Sequence, residues 1–299
     1  MKVLIITGGT SSERRISFMS AGQVRNALIE VKHQAVLFDL KKGHQQLKKI
    51  AKKFDVIFPV IHGEEGEGGS LQEFLASQGI PCVGGDWEGY KKSWYKIPFK
   101  RFCDKNNIPT SSWKKVKIKE DILKFGFPSV LKSSAGGSSR EVVVMNSIRE
   151  LRGYLCKKLL KSNLPLFVEK YLPGIEITVG ILHNKALPVI EIVPPKGGWF
   201  DYKNKYWGKT KEIPHAPSLD EKTKKLTQRL ALKIHQTFGL GPYSRIDFIV
   251  SNGKPNALEV NTIPGLTASS LFPKAAQAAG ISFPDLLDRM VKMSLGDSY

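Results

Sequence analysis

Short apolar runs alternate with helix-period stretches along the opening of the chain. Val3 to Thr7, Ala35 to Asp39 and Val56 to Val60 read as strands, and Phe18 to Val31 repeats its apolar residues at helical spacing. This order predicts βαβ and therefore a parallel sheet. A helix over Leu71 to Ser77 and a short strand about Pro81 to Val83 close the first unit near residue 90. From Trp94 the texture changes to a basic helix. Strands follow at Ser129 to Lys132 and Glu141 to Met145, then a helix from Ile148 to Leu160, then strands at Leu166 to Lys170 and Glu176 to Leu182. Strands with one or two flanking helices predict a small α+β unit. The remainder predicts a strand from Leu187 to Val193, a loop from Pro194 to Pro217, a helix from Leu219 to Phe238, two strands and a terminal helix. A loop of that length is usually a lid or disordered, and this one carries Lys205 and Tyr206.

Two glycine-rich turns interrupt the first unit, Gly8-Gly9-Thr10-Ser11-Ser12 and His62-Gly63-Glu64-Glu65-Gly66-Glu67-Gly68-Gly69. Each follows the C-terminal end of a predicted strand, where open α/β sheets bind ligands.

Composition narrows the class without naming a function. Apolar residues make up 41% and charged residues 24% of 299 positions, enough for a substantial core spread over two or three domains. Met1 to Thr7 breaks into Gly8-Gly9 before reaching the length of a signal-peptide core, and no stretch is long enough to span a membrane. Cys82, Cys103 and Cys156 stand far apart with no C-x-x-C pair, which predicts neither a disulfide framework nor a structural zinc site and fits a reducing, cytoplasmic setting. The formal charge of +19 attracts phosphates, acidic membranes or nucleic acid without selectivity. The lysines are scattered in doublets such as Lys41-Lys42 and Lys224-Lys225, the pattern of solvated helix faces, so no specific nucleic-acid or membrane partner is expected.

Candidate chemistry concentrates late in the chain. Tyr243 to Val250 and Ala257 to Asn261 alternate and are joined by a segment containing the hairpin signal Asn252-Gly253. A period of two puts Arg245 and Asp247 on one face of the first strand and Glu259 and Asn261 on one face of the second. Phe248, Val250, Leu258 and Val260 are expected on the other face. Two carboxylates, an amide oxygen and a guanidinium on one surface suit a hard cation such as Mg²⁺ completed by phosphate oxygens. The same four residues fit equally well a salt bridge on a solvated sheet face. The turn that follows, Thr262 to Leu271, is dense in hydroxyls and backbone donors, and Gly265 permits close approach of a substrate to its N–H. A second candidate phosphate cradle is the Gly/Ser-rich segment Lys132 to Ser139, which does not match the P-loop pattern and by itself reads as readily as a hairpin loop.

Taken in order, these segments resemble one family, the D-alanine:D-alanine ligases of the ATP-grasp superfamily, from Lys2 to about Lys292. The anchors are Gly8 to Ser17, His62-Gly63, Gly79-Ile-Pro, Val130-Leu-Lys132, Gly137-Ser138-Ser139, Val168 to Glu176, Lys205-Tyr206, Arg245-Ile-Asp247 and Glu259 to Thr267. The chain departs from the family pattern at Gly68, at Ala135-Gly136, at Arg140-Glu141 and over Ile213 to Pro217.

The resemblance implies an α/β chain with an ATP-grasp fold. A Rossmann-like parallel-sheet domain over 1–93 would be followed by a small central α+β domain over 94–182 and a larger C-terminal α+β domain over 183–299. It implies ATP and two Mg²⁺ ions, with Mn²⁺ as a substitute, and Asp247, Glu259 and Asn261 as the metal ligands. Lys96 and Lys132 would hold the phosphates, and Ser138 and Ser139 would sit in the loop that closes over them. Glu169 and the backbone from Lys170 to Leu172 would bind adenine, and Glu176 the ribose. Glu13 would hold the ammonium of the first D-alanine beside His62, which reads as readily as a structural histidine. Arg245 and the Gly265 N–H would stabilise the tetrahedral oxyanion. Ser270, the Leu271 N–H and Lys205 would receive the second carboxylate, and Tyr206 would couple Glu13 to Ser138.

The expected activity is ligation of two D-alanines through an acyl phosphate, for peptidoglycan precursors, in a homodimer. Tyr206 favours D-alanine over D-lactate as acceptor. The alternatives are a relative with a D-serine, D-lactate or L-amino-acid acceptor, and a noncatalytic basic binding protein on the same scaffold.

Overall fold

The computed structural model describes residues 1–136, 141–195 and 210–296. β1 (Lys2–Thr7) lies between β2 (Gln34–Asp39) and β3 (Val56–Pro59) in a parallel sheet. Val3 to Ile6 are all fully buried because both faces of the sheet are covered, which is why β1 reads as an unbroken apolar run. Val3 and Ile5 pack on α1 (Arg14–Glu30) through Val24 and Leu28, whereas Leu4 and Ile6 meet Leu47 of α2 (His44–Ala51) on the opposite face. α2 has almost no sequence signal, its apolar residues being Leu47, Ile50 and Ala51 among polar ones. α1 also starts before the predicted Phe18, because its first turn is polar. The second glycine-rich turn forms α3 (Glu64–Glu67), then α4 (Ser70–Ser77). The strand expected about Pro81 to Val83 reduces to one parallel bridge between Ile57 and Cys82.

α5 (Trp87–Trp94) and α6 (Lys96–Lys105) lead to a second, antiparallel sheet. Its strands are β4 (Trp113–Val116), β5 (Ser129–Ser133), β6 (Val142–Met145) and β7 (Leu166–Lys170), in the order β4-β7-β5-β6. α7 (Lys119–Phe125) and α8 (Tyr154–Leu160) pack on this sheet through Ile122, Cys156 and Leu159. The helix expected over Ile148 to Leu160 is divided. Ser147 and Glu150 cap a 3-10 turn over Ile148–Arg152, and extended backbone at Gly153 separates it from α8.

The third sheet runs β11-β10-β8-β12-β13, with β9 attached to β8. It comprises β8 (Ile175–Leu182), β9 (Lys185–Ala186), β10 (Ile190–Val193), β11 (Lys211–Pro214), β12 (Tyr243–Ser251) and β13 (Lys254–Asn261). β8, grouped with the central unit in the sequence division, pairs only within this sheet among the described residues. The expected strand Leu187 to Val193 is β10 alone, and the expected loop contains β11. α9 (Glu221–Phe238) covers one face through Ala231, Ile234 and Phe238. The single expected terminal helix is two, α10 (Leu271–Ala278) and α11 (Phe283–Met293), because Gly280 turns the chain with a positive φ and Ser282 caps the next helix. Among the described residues no helix is long and apolar enough to cross a membrane.

His235 on α9 is buried, 2.8 Å from the Ser244 hydroxyl. Burial holds its pKa down at about 4, against the ordinary 6.5. Between these values the unfolded chain binds more protons than the folded one, so stability declines as pH falls through that window. The contribution reaches about 3 kcal/mol below it. We expect His235→Gln to flatten this acid limb in urea unfolding curves at pH 7 and pH 4.5; an unchanged limb would contradict it.

Candidate active site

The second and third sheets face one another across a cleft of about 360 Å³. Val130, Val142 and Val144 line it from one side, and Ile192, Ile249 and Leu258 from the other. Two apolar plates with polar ends suit a flat, uncharged ring system carrying a charged tail. The connection between β7 and β8 forms the back of the cleft, with Lys170, Tyr171 and Leu172 among its lining residues. The N–H groups of Lys170 and Tyr171 donate to Ser112 and Pro128, whereas the Leu172 N–H has no such partner among the described residues. Glu176 lies on the same wall, opposite Ile249 in the β8–β12 pair.

The acidic end of the cleft is built by the β12–β13 hairpin. Its register sets Arg245 opposite Asn261 and Asp247 opposite Glu259. The Asp247 carboxylate accepts from Arg245 Nε and Nη2, both at 2.9 Å, from Asn261 Nδ2 at 3.0 Å and from Thr178 Oγ1 at 2.5 Å. Burial works against the Arg245 charge, but the Asp247 carboxylate outweighs it and raises the guanidinium's pKa. Glu259 pairs with Lys96 Nζ at 3.2 Å, and Lys96 also donates to the Gly136 carbonyl at 2.8 Å. Two carboxylates directly opposed on a sheet repel, and Arg245 and Lys96 offset that charge. With Asn261 donating through Nδ2, its Oδ1 is left as a neutral acceptor beside the two acids. Three oxygen-bearing side chains are too few for a complete protein cage, but they fit Mg²⁺ that takes its remaining ligands from phosphate and water.

Leu258, expected on the core face, lines the cleft instead. A bulge skips it, because Phe248 pairs with Ala257 immediately after Asp247 pairs with Glu259. The extra residue reverses the alternation, so Ala257 and Val260 enter the core while Leu258 and Glu259 both face outward.

At the opposite end, Glu169 is nearly inaccessible yet pairs with two lysines, Lys132 through Oε1 and Lys100 through Oε2, each at 2.5 Å. Burial pushes this carboxyl up, but the ammoniums of Lys132 and Lys100 outweigh it and hold Glu169 well below the usual carboxylate range. Lys132 faces the cleft and Lys100 does not. Lys100 has no distinguishing sequence signal, since it stands one turn after Lys96 in a helix where lysine is common.

The glycine-rich turns of the first unit meet each other. Thr10 donates through N–H and Oγ1 to Glu65, and Ser11 Oγ donates to the His62 carbonyl. Glu13 occupies the cap position of α1, and a Cβ on Gly63 would lie 3.9 Å from its Oε2. The His62 N–H donates to Ser17 Oγ, and Nδ1 is 3.5 Å from Glu67 Oε1. His62 Nε2 is buried without a partner among the described residues, a polar atom available to a ligand beside Glu13. Glu67, which the sequence marks only as part of the second glycine-rich turn, accepts from the Gly63 N–H and adds to the field that raises the Arg245 pKa, linking this corner to the hairpin.

In the turn after β13, Ser270 Oγ accepts from the Thr267 N–H at 3.2 Å and lies 2.7 Å from Thr267 Oγ1. A Cβ on Gly265 would sit 2.9 Å from this oxygen, so a larger residue there would displace the Ser270 hydroxyl. The Ala268 N–H donates to Gln23 of α1, and Leu271 begins α10. Of the remaining expected site residues, Ser138, Ser139, Lys205 and Tyr206 lie outside the described residues.

The chain is similar to known proteins over nearly its whole length. A family model described as D-ala D-ala ligase C-terminus matches residues 96–292. The D-alanine–D-alanine ligase of Aquifex aeolicus is 38% identical over 296 residues, covering 97% of this chain and 100% of that protein. That of Oleidesulfovibrio alaskensis is 36% identical over 300 residues, covering 99% and 97%. The crystal structure of D-alanine–D-alanine ligase from Bacillus anthracis complexed with ATP superposes with a TM-score of 0.85 at 31% identity, covering 99% of this chain and 97% of that one.

Proposed function

The chain belongs to the D-alanine–D-alanine ligase family, and on that premise we propose that its cleft catalyses ATP-dependent ligation of two D-alanines, supplying the dipeptide of peptidoglycan precursors. The observation that carries this reading is the opposed pair Asp247 and Glu259, with Asn261 beside them, at one end of a cleft whose apolar plates and Glu169 form the other. ATP spans the two ends. Its adenine lies between the valines of the second sheet and Leu258, against Glu169 and the Lys170 to Leu172 backbone, with the ribose at Glu176. Lys96 and Lys132, with Ser138 and Ser139, hold the phosphates. Asp247, Glu259 and Asn261 would hold Mg²⁺, which when bound neutralises charge on the phosphates during transfer.

Glu13 takes the ammonium of the first D-alanine and His62 lies beside its carboxylate. That carboxylate attacks the γ-phosphorus, ADP leaves, and an acyl phosphate results. The amine of the second D-alanine, its carboxylate held by Ser270, the Leu271 N–H and Lys205, attacks the acyl carbon. Arg245 and the Gly265 N–H stabilise the oxyanion; the C–O bond to phosphate then breaks, and the phosphate departs with the amine's proton. Tyr206 excludes water from the intermediate. The proposed domain division follows that of the sequence, 1–93, 94–182 and 183–299, except that β8 goes with the third unit, whose sheet it joins. Free Cys82, Cys103 and Cys156 support a reducing, cytoplasmic setting, and a homodimer is part of the same reading.

The test is ADP release by the full chain with ATP, Mg²⁺ and D-alanine, run beside D-serine, D-lactate and L-amino acids, with the product identified by mass. D-alanyl-D-alanine is the expected product. ADP release with another pair but not with D-alanine would overturn the acceptor assignment, and salt-sensitive nucleic-acid binding without turnover would overturn the enzymatic one.

A further inference from the structure

We propose that Lys100 is a positioning residue for nucleotide selection: from the protein interior it fixes one oxygen of Glu169, so that the other is presented to the base as a hydrogen-bond acceptor. This rests on the reading of the cleft as the ATP site. Lys100 is 1% exposed and lies one helical turn after Lys96, so α6 directs one lysine to the acidic end of the cleft and the next into the core. Its ammonium reaches Glu169 Oε2 at 2.5 Å, Thr110 Oγ1 at 2.6 Å and Ser111 Oγ at 2.9 Å. These contacts use all three of its protons.

Ser111 donates its own proton to the same Oε2 at 2.5 Å. Oε2 therefore carries two donors, whereas Oε1, among the described residues, carries only Lys132, at the cleft wall. A carboxylate oxygen accepts about two hydrogen bonds, which leaves Oε1 one position for a donor from the ligand. The exocyclic amino group of adenine supplies a donor. The carbonyl oxygen at the same place in guanine is an acceptor and would be repelled.

The same ammonium relates the base end of the cleft to the metal end. Thr110 Oγ1 donates to the Ala257 carbonyl at 2.7 Å, and the Ala257 N–H donates to Pro109 at 2.8 Å. Ala257 stands two residues before Glu259 on β13. Without Lys100, a buried Glu169 would have one cation, on the cleft side, and Oε2 would lose the charged contact that fixes the carboxylate's orientation.

The experiment compares the full chain with Lys100→Met, Glu169→Gln and the double variant, using ATP and GTP as nucleotides. For Lys100→Met we expect KM for ATP to rise about tenfold or more and the preference for ATP over GTP to shrink by a similar factor. We expect kcat to fall less than about fivefold and KM for D-alanine to stay within about twofold, a split that general loosening of the fold would not give. In the Glu169→Gln background the Lys100 substitution should add little, because it acts through that carboxylate.

Wild-type nucleotide preference in Lys100→Met, or full additivity in the double variant, would overturn the proposal while leaving Glu169 as the base reader. Unaltered preference in Glu169→Gln would instead remove the base-reading role itself and the proposal with it. Thermal unfolding establishes that each variant is folded. Should Lys100→Met fail to fold, Lys100→Gln, which keeps a neutral donor toward Thr110 and Ser111, is judged by the same criteria.

Discussion

Glu259→Gln is expected to lower kcat by about 10³-fold or more while the protein keeps its fold, because the substitution removes charge at the proposed metal end of the cleft and almost no volume. Glu259 is one of two carboxylates in the set and its side chain is 27% exposed, so an amide there leaves no buried charge stranded. It also relieves the repulsion with Asp247 across the β12–β13 pair. Lys96 loses its ion-pair partner but keeps the Gly136 carbonyl. The melting temperature should therefore move by no more than about 3 °C in either direction. ADP release and thermal unfolding of the same preparation check both halves, and activity within about tenfold of wild type would exclude Glu259 from the metal set.

Arg245→Lys should separate charge from geometry. The guanidinium meets Asp247 through two parallel hydrogen bonds, and both residues are buried. A lysine keeps the charge but offers a single ammonium on a flexible stem, so it cannot satisfy both carboxylate oxygens and aim at a developing oxyanion. We expect kcat to fall about 10²-fold to 10³-fold, in line with loss of one oxyanion donor. Stability should fall by about 2 kcal/mol, because Asp247 loses half of a buried, hydrogen-bonded pair. A variant that loses the stability but keeps kcat would show that Arg245 only braces Asp247. The reverse result would show that the fork is dispensable to the fold and that Arg245 acts on the reacting atoms.

Residue spacing told much about the hairpin and little about the opposite end of the cleft. Arg245, Asp247, Glu259 and Asn261 sit two apart on neighbouring strands, and a period of two is a property of extended backbone that holds before any tertiary contact forms. The same rule misplaced Leu258, because a bulge adds one residue to one strand, and the pairing of Phe248 with Ala257 depends on how the hairpin seats on its core. Lys100 carried no local signal, and Glu67 only its place in a glycine-rich turn. One sits in a basic helix and the other in a run of glycines and glutamates, and each acquires its role from a partner far along the chain, Glu169 for Lys100 and the Arg245 field for Glu67.

What the sequence determined by itself was the succession of elements with strong periodicity, the family resemblance and the side chains proposed for a metal and a nucleotide. These are encoded at short range, by alternation, by glycine turns and by ordered motifs. Only the tertiary structure decided that α2 exists, that the terminal helix is two, that Leu258 faces the cleft, and that Glu169 is gripped from inside by a buried lysine. Weak helices form where packing supplies the stability their sequence lacks. A buried carboxylate remains charged only where the fold brings cations to it from separate elements.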